Sequence, residues 1–223
     1  DEFGTDVGYR QRGYLFLARS AEEANAYIAD LAMQRGVKEV VKSKSMASEE
    51  IHLNKALEKA GTTVVETDLG EWIIQLAGQR PSHMVMPAIH MFRDEVAALF
   101  SQVTGRREPD GIEHLVGVAR QQLRDEYMTA DMGITGANAA VAETGGLALV
   151  TNEGNARLVS TLPKIHVALV GIEKLVPTIE DAVNVIRILP KNATGQAITS
   201  YISWIRGAIP CGDDEKELHI VLL

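Results

Sequence analysis

A chain of 223 residues, 46% hydrophobic and 23% charged, is long for one domain and short for two, so one large globular unit is the expected organisation. Its net charge of −8 argues against attraction of the whole surface to nucleic acid or anionic lipid, both of which need a basic face, and neither partner is expected. No run of eighteen apolar residues occurs, and residues 1–30 lack a charged and then apolar stretch, so neither a spanning helix nor a secretory leader is expected and the cytoplasm is the expected location.

Residues 1–12 read as a tag or irregular start, with 1–5 as a cloning remnant, and residues 13–223 as the domain. Tyr14 to Ala18 and Val37 to Val41 then read as strands. Between them Ala21, Ala24, Ile28, Leu31 and Ala32 recur at helical spacing, and Gly36 closes the helix. Ser48 before Glu49 and Glu50 reads as a second helix start, its hydroxyl capping free amides and the carboxylates lying near the positive dipole end. Leu53, Ala56, Leu57 and Ala60 form that helix's buried stripe, and Gly61 ends it. Thr62 to Thr67 and His83 to Met86 follow as strands. Phe92 to Val103 and Ile112 to Leu123 carry two consecutive amphipathic helices, separated by the turn Gly105 to Gly111.

Beyond Ile134 three apolar runs, Ala139 to Glu143, Leu147 to Thr151 and His166 to Val170, are broken by Gly, Asn and Pro and read as strands with tight turns. Ile179, Ala182, Val183 and Ile186 build a further helix, and Ser200 to Ile205 and Leu218 to Leu223 two last strands. Apolar runs alternating with amphipathic stretches predict a layered α/β fold with a mostly parallel sheet. A final strand with no polar tail carries the expectation that the parent protein continues past Leu223.

Two segments carry candidate chemistry. In VVKSKSMASEE, residues 40–50, Lys42, Ser43, Lys44 and Ser45 stand between the carboxyl end of a strand and the amino end of a helix. Free amides, hydroxyls and ammonium groups there suit an anion such as a carboxylate or phosphate, and a solvated loop is the competing reading. In GITGANAAVAETGGLALVTNEGNAR, residues 133–157, Glu143 and Glu153 each lie beside glycines that allow close approach of a ligand to the backbone. Asn138, Asn152, Asn155 and Arg157 add hydrogen-bonding groups, with Arg157 suited to fork onto a carboxylate. Ordinary hairpin turns are what periodicity alone favours for the pattern, and the glycines match neither a dinucleotide fingerprint nor a phosphate loop.

The six histidines, at 52, 83, 90, 114, 166 and 219, form no His-x-x-x-His pair, and no metal site is expected. His166, inside an apolar strand, reads as a core residue, while His83 and His90 flank a strand end. Cys211 is the only cysteine. It reads as a loop residue, permits no internal disulfide and cannot supply the four ligands of an iron–sulfur cluster, so no cofactor is expected within the chain.

The strings VVKSKSMASEEIHLNKALEKAG, VVETDLGEWIIQLAG, PSHMVMPAIH, DMGITGANAAVAETGGLALVTNEGNARLVSTLP and HVALVGIEKLVPTIEDA resemble, in order and without large gaps, the LUD (lactate utilisation) domain of bacterial lactate-utilisation iron–sulfur proteins. The resemblance runs from about Gly13. It implies a three-layer α/β/α fold similar to the NagB/RpiA/CoA-transferase-like group. It also implies membership of a multi-subunit system oxidising L-lactate to pyruvate, with other lactate-utilisation subunits as partners, a small carboxylate as substrate and [4Fe–4S] clusters in a cysteine-rich region that follows the domain. The site expected from the residues is Lys42, Lys44, Ser45, Asn138, Asn155 and Arg157 around a carboxylate, with Glu143 or Glu153 handling a proton. A self-sufficient enzyme resembling a CoA transferase or sugar-phosphate isomerase, and a non-catalytic scaffold, are the alternatives.

Overall fold

The computed structural model describes residues 12–82, 86–151, 153–208 and 216–223. Its first sheet forms from β1 (Arg12–Leu17), β2 (Glu39–Lys42), β3 (Thr63–Glu66), β4 (Met132–Thr135), β7 (Ile165–Val170) and β10 (Glu217–Leu222). The order is β1-β10-β7-β4-β2-β3, and every neighbouring pair is parallel. β7 is buried at all its positions, as a parallel strand covered on both faces must be.

The α/β class with a mostly parallel sheet is therefore as the sequence predicts. β1 and β2 do lie parallel in one sheet across α1 (Ala21–Gln34), but β10, β7 and β4 stand between them. A second sheet, absent from the sequence reading, joins β8 (Leu175–Val176), β5 (Ala139–Val141), β6 (Gly146–Thr151) and β9 (Tyr201–Ile205) in that order.

Side-chain alternation sends β-strand neighbours to opposite faces. Val40, Val64, Met132, Ile134, Val167 and Leu169 pack against α1, α2 (Met46–Glu50) and α3 (Leu53–Lys59). On the other face Val41 meets Val159 of α7 (Asn155–Thr161) and Ala130, just past α6 (Ile112–Thr129). Further along that face Ala168, Val170, Leu218 and Leu222 pack on Leu147, Leu149 and Ile205 of the second sheet. α8 (Ile179–Thr194) in turn meets that sheet through Ala182 and Ile186. A further cluster, centred on Trp72 and Phe100, joins α4 (Leu69–Ala77), α5 (Arg93–Thr104) and α6.

Local chemistry explains where the elements differ from expectation. The stretch expected as one helix from Ser48 is two, α2 and α3, separated at His52, whose φ of 54° is left-handed. Ser45, not Ser48, caps α2, accepting from the Ser48 amide at 3.4 Å. α4 went unread although Asp68 accepts from the amides of Gly70 and Glu71 and Gly78 closes the helix at φ 62°. β4, α7 and β8 are two to seven residues long, too short for a periodic signal of their own. Of the strand expected over His83 to Met86, residues 83–85 lie outside the described residues and Met86 is not in a strand.

Turn direction positions the crevice. From β2 the chain moves outward to β3, whereas from β4 it moves the opposite way to β7. The adjoining carboxyl ends of β2 and β4 are thus a topological switch point, where open α/β sheets leave a cleft. α7 lies close beneath: a Cβ on Gly133 would stand 1.9 Å from the Val159 carbonyl oxygen.

Gly133→Ala is expected to destabilise the fold by about 3 kcal/mol, lowering Tm by roughly 6–12 °C, because backbone must move to admit the methyl. Gly117→Ala, in α6 with nothing within 4 Å of its Cβ position, is expected to stabilise by about 0.5–1 kcal/mol. Thermal denaturation of the two variants checks both; a Gly133→Ala protein melting with the parent would refute the close approach.

Candidate acid–base crevice

β2 ends on Lys42, whose side chain has no exposed surface. Its ammonium donates to Glu49 Oε1 at 2.8 Å and Ser48 Oγ at 3.0 Å, and pairs with Glu66 Oε1 at 2.9 Å. A buried ammonium needs this company, since an unpaired one would lose its hydration uncompensated. Glu66 ends β3 on the same face as buried Val64, and Asn54 Nδ2 donates to its Oε1 at 2.7 Å. Lys42 therefore joins the sheet edge to α2 and, through Glu66, to α3.

Past Lys42 the chain stays in register, the Ser43 amide donating to the Ile134 carbonyl at 2.9 Å. Lys44 then reaches over the edge, its Nζ 3.7 Å from Glu71 Oε1. Glu71 sits in the first turn of α4 and is 6% exposed. Burial, then the charges of Glu66 and Glu49, push its pKa up to about 7, against the pull of Lys44 and Lys42. Glu153, at the mouth, also has a raised pKa, from partial desolvation and then the charge of Asp68, with Lys44 opposing. The Tyr127 hydroxyl completes the group: desolvation raises its pKa, Thr67 hydrogen-bonds it, and the charges of Glu153 and Asp68 add to the rise.

The sequence-predicted residues divide. Lys42, Lys44, Ser45 and Glu153 come together at the switch point, and Ser45 Oγ would lie 3.0 Å from a Cβ on Gly136. Lys42 is occupied by its carboxylates rather than facing the opening. Asn138 accepts from the Val150 amide at 2.7 Å and its own amide donates to Ala148, which registers the β5–β6 hairpin. Asn155 accepts from Thr151 Oγ1 at 3.0 Å and from the Ala156 amide at 2.8 Å at the start of α7. The Arg157 guanidinium lies 4.7 Å above the Tyr201 ring and borders Gly154, beside Glu153.

Glu143 is not brought to this group. It lies at the far end of β6 from Glu153, roughly 20 Å away along a six-residue strand, where Oε1 accepts from the Ile179 amide at 2.7 Å and caps α8. Asn152 lies outside the described residues. Buried His166 shares a hydrogen bond of 2.9 Å with Thr135 Oγ1, and desolvation lowers its pKa to about 3, so it is the neutral core residue that its strand predicts.

Sequence reasoning missed Glu66, Asp68, Glu71 and Tyr127. The signal lay in ETDLGE, residues 66–71, where an inward-facing strand glutamate precedes a capping aspartate and a first-turn glutamate. A separate cavity of about 160 Å³ between α4, α5 and α6 is lined mainly by apolar side chains, among them Ile73, Phe100 and Leu115, and lacks acid–base groups. Among the described residues no group of three or more His, Cys, Asp and Glu is placed to hold a metal ion, and no helix is long and apolar enough to cross a membrane.

Lactate utilization protein B of Lysinibacillus sphaericus (strain C3-41) is 46% identical over 217 residues, which cover 96% of this chain and 46% of that protein. The protein of the same name from Oceanobacillus iheyensis is 49% identical over 199 residues, covering 89% and 42%. Uncharacterized electron transport protein YkgF of Escherichia coli (strain K12) is 43% identical over 213 residues, covering 95% and 45%. The chain thus spans under half the length of each of these relatives. A solved DUF162 family protein from Deinococcus radiodurans, 15% identical, aligns over 92% of this chain and 99% of its own with a TM-score of 0.36. The profile of the LUD domain matches residues 10–223, and with relatives this similar across most of its length the chain belongs to the LUD domain family.

Proposed function

We propose that this chain is the ligand-binding and proton-handling part of a cytoplasmic protein that oxidises L-lactate to pyruvate, working with other lactate-utilisation subunits. The observation that carries the reading is Glu71, buried at the switch-point crevice, 3.7 Å from Lys44 and with a pKa pushed up to about 7. A carboxyl so poised exchanges protons near neutrality, which is what a general base or acid requires. The names of the relatives support the lactate-utilisation role, and the electron-transport name of one supports the redox half.

In this reading Lys44 holds the lactate carboxylate, with Arg157 at the rim, and Glu71 or Glu153 accepts the hydroxyl proton. Oxidation to pyruvate removes two electrons and two protons. The carbon-2 hydrogen leaves with both electrons, as a hydride equivalent, to an acceptor that this reading places outside the chain; [4Fe–4S] clusters, whose thiolates one cysteine in 223 residues does not furnish, would carry the electrons onward singly. Asn138, Asn155 and Lys42 support the crevice without touching the ligand, and Glu143 takes no part.

The crevice is rich in carboxylates, so an anion is accommodated only if protons enter with it. A ligand carboxylate on Lys44 weakens that lysine's hold on Glu71 and raises the Glu71 pKa further. Calorimetric titration with L-lactate or pyruvate in buffers of different ionisation enthalpy is therefore expected to show net proton uptake near neutral pH, and uptake unchanged in Glu71→Gln would refute the assignment. At a hundredfold excess over Kd either ligand is expected to stabilise the chain by about 2.7 kcal/mol, a Tm rise of roughly 5–10 °C that Lys44→Ala abolishes. A rise with acyl-CoA or phosphosugars alone would instead favour the self-sufficient enzyme, and no rise with any ligand the scaffold.

Glu71 also makes stability pH-dependent. Its folded pKa lies above the ordinary 4.5, so its stabilising contribution is complete below about 4.5 and is lost as pH rises through about 7. Glu71→Gln is expected to show a flatter fall in Tm than the parent across that window; parallel profiles would remove Glu71 as the titrating group.

A further inference from the structure

Behind the crevice, two buried oxygens on adjoining side chains, Glu66 Oε2 and Asn54 Oδ1, have no hydrogen-bond partner among the described residues. The same two side chains are already joined by Asn54 Nδ2 donating to Glu66 Oε1 at 2.7 Å. The neighbouring donors bond other acceptors. The three protons of the Lys42 ammonium match its three acceptors, Ser48 Oγ, Glu49 Oε1 and Glu66 Oε1. Gln75 faces Glu66 from α4, but its Oε1 accepts from the Glu66 amide at 2.9 Å and its Nε2 donates to the Val64 carbonyl at 2.7 Å. If Glu66 is ionised, both oxygens are acceptors buried without a donor, a costly arrangement.

A single proton resolves both. We propose that Glu66 is a neutral carboxylic acid at neutral pH, its proton held on Oε2 and donated to Asn54 Oδ1, so that the two side chains close into an acid–amide pair. The pair binds one proton as its ligand, in a site independent of any substrate. The charges facing it then balance: Lys42 from β2 is matched one to one by Glu49 from α2, and Glu71 from α4 has a neutral neighbour in place of an anion. Burial, which raises the pKa of Glu66 more than Lys42 and Asn54 lower it, acts in the same direction. Burial is likewise the largest cause acting on Glu71, with the Glu66 charge second, so the proton on Glu66 lessens the upward shift there without removing it.

The inference does not depend on lactate being the ligand, and its test uses the chain without ligand. Infrared spectra in D₂O at neutral pH are expected to contain the carbonyl band of a protonated carboxylic acid that disappears in Glu66→Gln and persists in Glu71→Gln and Glu153→Gln. In Asn54→Leu, which removes the amide partner, that band is expected to move to higher frequency. A measurement needing no variant is the carbon-13 titration of the side-chain carboxyls in glutamate-labelled protein, where the Glu66 carboxyl carbon is expected at the neutral-acid position at neutral pH and to move only under alkaline conditions. An ionised Glu66 carboxyl at neutral pH, or a spectrum in which Glu66→Gln removes no acid band, overturns the proposal.

Discussion

The buried ammonium of Lys42 is the constraint around which this end of the molecule is arranged. It ends a strand in the interior of the parallel sheet, where neither face is open to water. A charge in that position is tolerated only if its hydration is replaced group for group, and truncating one partner of such a set costs far more than the set contributes to net stability. Two separate segments supply the replacement: α2 through Ser48 and Glu49, and β3 through Glu66. Each has to be where it is for the lysine to be where it is, so the break between α2 and α3 at His52 and the placement of Asn54 beside Glu66 belong to one arrangement.

Backbone approaches backbone beside that arrangement, where α7 meets β4. Gly133 lets α7 lie against β4, and Gly136 leaves room for Ser45. α7 carries Arg157, and the turn before it carries Glu153. The approach of α7 is therefore what brings a residue from beyond the second sheet to the same opening as Lys44 and Glu71. The second sheet is thereby more than an elaboration on one face. β6 spans the distance that separates Glu143, which caps α8, from Glu153, which lines the crevice.

Electrostatically the site is unusual for one that would receive an anion. Among the described residues, Glu49, Glu66, Glu71, Asp68 and Glu153 cluster about Lys42 and Lys44. Desolvation settles much of the excess charge, because a carboxyl removed from water holds its proton to higher pH. The protons taken up in this way leave the lysines less fully neutralised than a count of acidic residues implies. The result is a site whose charge depends on pH, which suits chemistry that moves protons.

Much of the fold was legible in the sequence because its signals are local. The periodic apolar stripes of α1, α5, α6 and α8, the runs of β7 and β10, and glycines such as Gly61 and Gly105 report the conformation of their own segments. The placement of the SKS loop between the end of β2 and the start of α2, and the glycine beside Glu153, were legible for the same reason. Which strands are neighbours was not, because nothing within β1 states that β10, the last strand in the chain, will lie beside it. Nor could residue types separate Glu143 from Glu153: both follow apolar runs and stand within two residues of a glycine, and only the direction of β6 sends one to α8 and the other to Lys44. Glu66 and Glu71 acquire their character from burial against Lys42 and Lys44, residues more than twenty positions earlier. A pKa depends on what surrounds a group in space, and the surroundings exist only once the sheet has closed on its helices.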